Sequence, residues 1–362
     1  MRQRRRNLSF FITTLVLCVG ALTGQAVAAG VDSADAVSSV EGEFDPRGAA
    51  RLGIPAAPFQ RFAIGAGDFL RVASSTYDRA QVSPLVGVVD SLPHGPELEK
   101  LKLYVATDAE IAATCGAGTM ACYDPGAERM VVSGESEEIA GIPREAVIAH
   151  EYGHHIANNR VGGGIWPALS AGTPRWSTQE RVCELARSGQ VFPGDQGLHY
   201  WDNPGEAFAQ SYSQMVLPQA GWHYSSLLLP DAAALTKLRR DVVDPWAGPR
   251  TIAWGRGALG ASEGGLGIGA GVAVGGKAPT VPVLRQVAVP VDGRVRVRLR
   301  ADDGRYALAL TDPATGETVA SARPGNGGVT SLSYAACGQR RLAVEATPLG
   351  APSAFEAKIV VP

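Results

Sequence analysis

The stretch "IPREAVIAHEYGHHIANNR", Ile142–Arg160, decides how this chain is read. Pro143 stands where a helix start tolerates a missing N–H, and the glycines that follow Arg160 mark where the helix stops. Over a helix spanning 143–158, His150 and His154 lie one turn apart on one face, with Glu151 beside them. Neutral imidazoles at that spacing can hold one zinc ion together. A glutamate directly after the first is well placed to take a proton from a water that the metal acidifies. His155 lies about 100° further round the axis and is expected to face elsewhere, and Gly153 leaves room beside the second ligand. The plain alternative is a structural helix that carries three histidines and no metal.

A catalytic zinc needs a third protein ligand and an open position. No "HxxGxxH" follows the motif, so a third histidine close behind it is missing. The best candidate is Glu206 in "HYWDNPGEAFAQSYSQ". A competing reading exists for it: with Asn203 as N-cap and Pro204 as the first helical residue, Glu206 falls where a capping box would turn its carboxylate back on its own helix.

The pairing of "HEYGHH" with "NPGEAFAQSY" some fifty residues later resembles a gluzincin-type zinc metallopeptidase. More narrowly, it is similar to exported actinobacterial proteins that combine H-E-x-x-H with "NPGEAFAE". The similarity covers roughly residues 98–246. It implies an α+β zincin-like domain in which His150, His154 and Glu206 bind one catalytic Zn2+ and Glu151 is the general base. It also implies a strand at Met130–Ser133 beside the cleft, where an extended peptide or protein substrate pairs with its edge. One position departs from the pattern: Gln210 stands where such proteins often carry an acid one turn after the ligand glutamate. A glutamine carbonyl can still accept an imidazole N–H, but it raises ligand basicity less. Tyr200, six residues before Glu206, is placed similarly to the tyrosine of lethal-factor-like gluzincins and is the expected oxyanion donor. Tyr212, His199 and His223 are its rivals.

At 362 residues, 45% apolar and 19% charged, the chain has the composition of a globular protein long enough for two domains. "MRQRRR", an apolar run and "AVAAG" have the layout of a secretory signal over residues 1–29. Its removal takes away four of the 33 Lys and Arg and none of the 35 Asp and Glu, leaving a formal charge of −6. A mildly acidic exported chain is not read as a nucleic-acid binder, and no later run is apolar and long enough for stable membrane insertion. Four cysteines remain once Cys18 leaves with the signal. Cys115 and Cys122, in "CGAGTMAC", are expected to close a small disulfide loop, while Cys183 and Cys337 are either a second disulfide or free buried thiols.

Residues 30–60 show no sustained periodicity and read as a linker or short pro-segment. From 61 to 250, strand and helix patterns alternate: "KLKLYVAT" reads as a half-buried strand, "CYDPGAERMVVSG" as two short strands about a turn, and "DAAALTKLRRDVVDPW" as a closing amphipathic helix with Arg239 and Arg240 on its solvated face. Residues 251–280 are glycine-rich and read as a linker. After them, 281–362 shows only period-two alternation and turns, the signature of a small all-β sandwich. In "RVRVRLR", Arg294, Arg296, Arg298 and Arg300 alternate with buried-type residues. They are a solvated outer face or a binding stripe for an anionic wall polymer. The glycine runs lack the context of a phosphate loop, and no G-x-S-x-G is present.

The sequence therefore leads to the expectation of a secreted zinc-dependent endopeptidase, associated with a cell wall through its C-terminal domain. Its rival is a secreted or wall-associated binding protein whose zincin-like domain is weakly active or inactive, the reading that Gln210 favours.

Overall fold

The computed structural model describes residues 57–256 and 281–362, apart from Ala66 and Ala140. The leader expected over 1–29, the segment 30–56 and the glycine-rich stretch 257–280 lie outside the described residues.

Strands β1 (Gln60–Ile64) and β2 (Asp68–Ala73) pair antiparallel. Helix α1 (Arg79–Ser91) follows, opened by a capping box between Asp78 and Gln81. β3 (Lys102–Ala106) returns parallel to β2, and α2 (Asp108–Thr114) begins with a second capping box, Thr107 with Glu110. β4 (Ala121–Asp124) and β5 (Arg129–Ser133) are the two short strands of "CYDPGAERMVVSG". Asp124 Oδ1 accepts the N–H groups of Gly126 and Ala127 and so closes their turn. The sheet order is β1-β2-β3-β5-β4, with β2, β3 and β5 parallel and an antiparallel strand at each edge.

Two expectations need correction here. "KLKLYVAT" predicts one solvated face, yet β3 lies mid-sheet and is covered on both. Leu103 and Val105 enter the main core, while Tyr104 and Ala106 pack with Ile111, Val131 and the Cys115–Cys122 disulfide. The strand at Met130–Ser133 exists as β5 but has no open edge, because β3 takes one side and β4 the other. At this end of the sheet the edge strand is β4, whose four residues are all buried. Ser133 donates its N–H to Met120 O at 3.2 Å, which in an antiparallel ladder turns the main-chain polar groups of Ala121 and Tyr123 away from β5.

A two-residue ribbon, β6 (Glu138–Ile139) with β7 (Ile142–Pro143), leads into α3 (Arg144–Asn158). Pro143 caps this helix rather than opening it, and every residue from Ala146 to Ala157 is buried. α3 therefore runs through the core, packed against β4 and β5. Short helices α4 (Ala168–Ala171), α5 (Pro174–Gln179) and α6 (Val182–Arg187) precede the longer α7 (Pro204–Val216) and α8 (Ala232–Val243). α8 is the closing helix, its Ala234, Leu238 and Val242 buried and Arg239 and Arg240 exposed. Buried Asp241 ties it to α5, accepting from Arg175 Nη1 at 2.8 Å and from the N–H groups of Arg175 and Trp176.

The rest of the described chain is antiparallel β: β8 (Arg250–Arg256), β9 (Val283–Val289), β10 (Gly293–Ala301), β11 (Tyr306–Thr311), β12 (Thr318–Ala322), β13 (Val329–Ala336), β14 (Arg340–Pro348) and β15 (Phe355–Val361). Two four-stranded sheets, β13-β10-β15-β8 and β12-β11-β14-β9, share one apolar core in which Val297 and Leu299 join Leu308, Leu310 and Val344. The boundary differs from the one read in the sequence. β8 pairs with β15 along its whole length, so the glycine-rich stretch connects two strands of the β region and not the two halves of the chain.

The halves are joined by a second disulfide, Cys183–Cys337, which fixes α6 to the end of β13. Around it Asp292 N–H donates to Thr178 Oγ1 at 2.7 Å, Arg294 N–H donates to Gly163 O at 3.1 Å, and Arg187 reaches the carbonyl of Ala335. Among the described residues no helix is long and apolar enough to cross a membrane.

Candidate metal centre

The four residues "NPGE" each have a physical task at the start of α7. Asn203 accepts the N–H groups of Gly205 and Gly194, and Pro204 fills the position whose N–H is not needed. Gly205 admits the carbonyl of Leu169, which a Cβ there would meet at 2.4 Å. Glu206 then faces inward. The capping-box alternative does not occur, since the Asn203 N–H donates to Tyr200 O and the Glu206 side chain turns toward α3.

α7 lies antiparallel along α3. Glu206 meets His154 and His150, Gln210 meets His150, and Ser213 Oγ donates to Ala146 O at 2.9 Å. The helices approach closely at Gly153, where a Cβ would stand 2.8 Å from Ala209 Cα. The glycine at this position thus makes room for the backbone of α7 rather than for a ligand side chain.

Three donors converge across this contact. His150 Nε2 and His154 Nε2 are 3.1 Å apart, and Glu206 Oε2 lies 3.4 Å from the first and 3.1 Å from the second. A tetrahedral ion with ligand bonds of ~2.0–2.1 Å separates its donors by about 3.3 Å, so one nitrogen from each imidazole and one carboxylate oxygen sit at the spacing such an ion requires. These three residues could hold a metal ion. Glu206 is an anion at neutral pH. Burial would raise its carboxyl, but the facing His154, with His150 beside it, outweighs that and holds it well below the usual carboxylate range. Its other oxygen, Oε1, accepts from Gln196 Nε2 at 2.8 Å.

Gln210 settles which nitrogen of His150 carries the hydrogen. Its amide nitrogen donates to Gly221 O, so its oxygen is the atom 3.1 Å from His150 Nδ1. An amide oxygen only accepts; Nδ1 therefore carries the hydrogen, and Nε2 turns its lone pair toward Glu206 and His154.

Glu151 is buried at 3% exposure on the same helix, about 60° around the axis from His154. Tyr200 is brought to the centre, its hydroxyl donating to Glu206 Oε2 at 3.2 Å. Its rivals are not. Tyr212 donates to Pro93 O at 2.6 Å within the core, His199 stacks on Phe192, and His223 is exposed. Two residues that the sequence reading missed line the site, Gln196 and Tyr224. The Tyr224 hydroxyl is 3.3 Å from that of Tyr200, and its ring lies over His150 with centroids 6.0 Å apart. Gln210 and Gln214 hold the loop that carries it, through the carbonyls of Gly221 and Ala220. The signal was available: Gln210 and Gln214 are one turn apart on the helix of Glu206, and "GWHY" is the next aromatic cluster.

His155 does face elsewhere. Its Nε2 bonds to the carbonyl of Glu97 at 2.8 Å and must be the donor, so Nδ1 accepts from the Tyr123 hydroxyl at 2.9 Å. Burial lowers its pKa, keeping it neutral as a structural link between α3 and β4.

In comparisons with known proteins, no family model matches this chain and no curated protein is significantly similar to it in sequence.

Proposed function

We propose that the protein is an exported zinc-dependent endopeptidase built on a zincin-like α+β domain. The observation that carries this reading is the convergence of His150 Nε2, His154 Nε2 and Glu206 Oε2 at 3.1–3.4 Å from one another, two nitrogens and one carboxylate oxygen, with buried Glu151 next to His150 on the same helix. His150, His154 and Glu206 would hold the zinc ion, which when bound would acidify a water and polarise a carbonyl. Glu151 accepts a proton and passes it to the leaving amine. Tyr200 donates its hydroxyl hydrogen to the oxyanion, and the Tyr224 hydroxyl, 3.3 Å away, holds that group in place.

Export agrees with the signal-like leader and with two disulfides. The reading of an inactive binding protein rested on Gln210, and that residue makes the hydrogen bond an acid would make. The test is Glu151→Gln in the full chain. It should retain metal at the level of the unmodified protein and lose hydrolysis of protein substrates; cleavage at the normal rate would overturn the mechanism.

A further inference from the structure

The arginines of β10 stand in a row on the open face of their sheet. Arg296, Arg298 and Arg300 are exposed, while Val295, Val297 and Leu299 between them are buried in the core. The register shows what flanks each one. Arg296 lies between Ser333 and Val360, Arg298 between Ser331 and Lys358, and Arg300 between Val329 and Glu356. Beyond β15 the same rows continue into Thr251, Ala253 and Gly255 of β8. Ser331, Ser333 and Val329 border the row on the β13 side, while on the β15 side Lys358 adds a positive charge and Glu356 sets a single acid beside the Arg300 end. A sheet face that only needed solvation would intersperse both signs.

Charge is also segregated along the chain. Residues 281–362 hold ten Lys and Arg against seven Asp and Glu, whereas 57–256 hold sixteen against twenty-two. The β region is positive in a chain whose total formal charge is −2.

We propose that this face binds an extended phosphodiester polymer of the polyol-phosphate type. Alternate residues of a strand are spaced by about 6.6–6.8 Å. A glycerol-phosphate backbone joined through its terminal carbons places six bonds between successive phosphorus atoms, a comparable distance when extended, so consecutive guanidinium groups meet consecutive phosphates. Arginine suits this ligand, since its planar fork matches two phosphate oxygens, and Ser331 and Ser333 supply further donors. Nucleic acid shares the backbone spacing. Single-strand binders, however, add aromatic platforms for the bases, and the rows of this face hold arginine, lysine, serine, alanine, valine, threonine, glycine and glutamate only. The proposal is independent of the metal centre.

The test uses the full chain and three probes: poly(glycerol phosphate), single-stranded oligothymidylate of equal charge, and heparin. Binding to poly(glycerol phosphate) should be the tightest of the three and weaken with salt. Arg296→Ser with Arg298→Ser should lower affinity at least tenfold and reduce the slope of log affinity against log salt by about one per arginine. The same charge change at exposed Arg239 and Arg323 should alter affinity less than twofold, and Arg296→Lys with Arg298→Lys, which keeps the charge without the fork, should fall between the parent and the serine pair. Tighter binding to oligothymidylate or heparin would overturn the assignment. So would an equal effect of the control pair, or no saturable binding at low salt.

Discussion

The amide oxygen of Gln210 sits 3.1 Å from Nδ1 of His150 and is held there by the donation of its amide nitrogen to Gly221. One side chain thus fixes the tautomer of a candidate ligand and anchors the loop bearing Tyr224. Gln210→Leu removes both functions and should weaken zinc affinity 10–100-fold in a competition titration against a chromophoric chelator. Gln214→Leu loosens the same loop at Ala220 without touching a histidine. It should leave affinity within about twofold, and an equal loss in the two variants would mean that loop order, not the tautomer, is what matters.

Tyr200 and Tyr224 form a hydroxyl pair at 3.3 Å. If Tyr200 donates to the oxyanion, Tyr200→Phe should lower kcat about 10²–10³-fold with KM nearly unchanged and metal content intact. Tyr224→Phe, acting through Tyr200, should cost roughly tenfold. Steady-state kinetics on one peptide substrate separate the two roles; an effect confined to KM would move Tyr200 into substrate binding.

Gly153 offers a case where helix propensity and packing disagree. Alanine is favoured over glycine by about 1 kcal/mol in a helix interior. A Cβ here, however, would stand 2.8 Å from Ala209 Cα, in the contact that sets the distance between Glu206 and the histidines. Gly153→Ala should therefore destabilise the protein by about 1–3 kcal/mol and weaken metal affinity as well. Urea denaturation with and without zinc reports both quantities.

Asp292 couples the halves of the chain by its N–H to Thr178 Oγ1, and its carboxylate accepts from Gly338 N–H at 2.6 Å beside the Cys183–Cys337 disulfide. Burial, with a smaller contribution from Glu184, pushes its carboxyl up to about 6. An unfolded aspartate titrates near ~3.9, so between about pH 4 and 6 the folded state keeps a proton that the unfolded state has released. Stability accordingly falls as pH rises through that window, by about 3 kcal/mol at most. Asp292→Asn removes the titrating group. The variant should be more stable than the parent at pH 8, similar to it at pH 4, and flatter in between when melting is followed across the range.

The legible parts of this chain were those written in local sequence. The helix of "HEYGHH" and the direction of His155 follow from helical spacing, and the Cys115–Cys122 loop follows from proximity. Choices among partners distant in sequence were harder. Whether Glu206 capped its own helix depended on Leu169 crowding Gly205 and on Gln196 holding the carboxylate, neither of which is a pattern in the sequence. β3 reads as half-solvated because alternation cannot show that α2 and its disulfide loop cover the second face. The glycine-rich stretch looked like a domain boundary because composition marks a flexible connection without saying what it connects. The strand pairing of β8 with β15 decides that.

The central claim is that His150, His154 and Glu206 together hold one zinc ion. The most direct measurement is zinc per chain after extensive dialysis, for the parent and for Glu206→Ala, with folding of both checked by far-ultraviolet circular dichroism. The account predicts one zinc in the folded parent and little or none in the folded variant. A parent that retains no zinc, or a variant that retains as much as the parent, would contradict it.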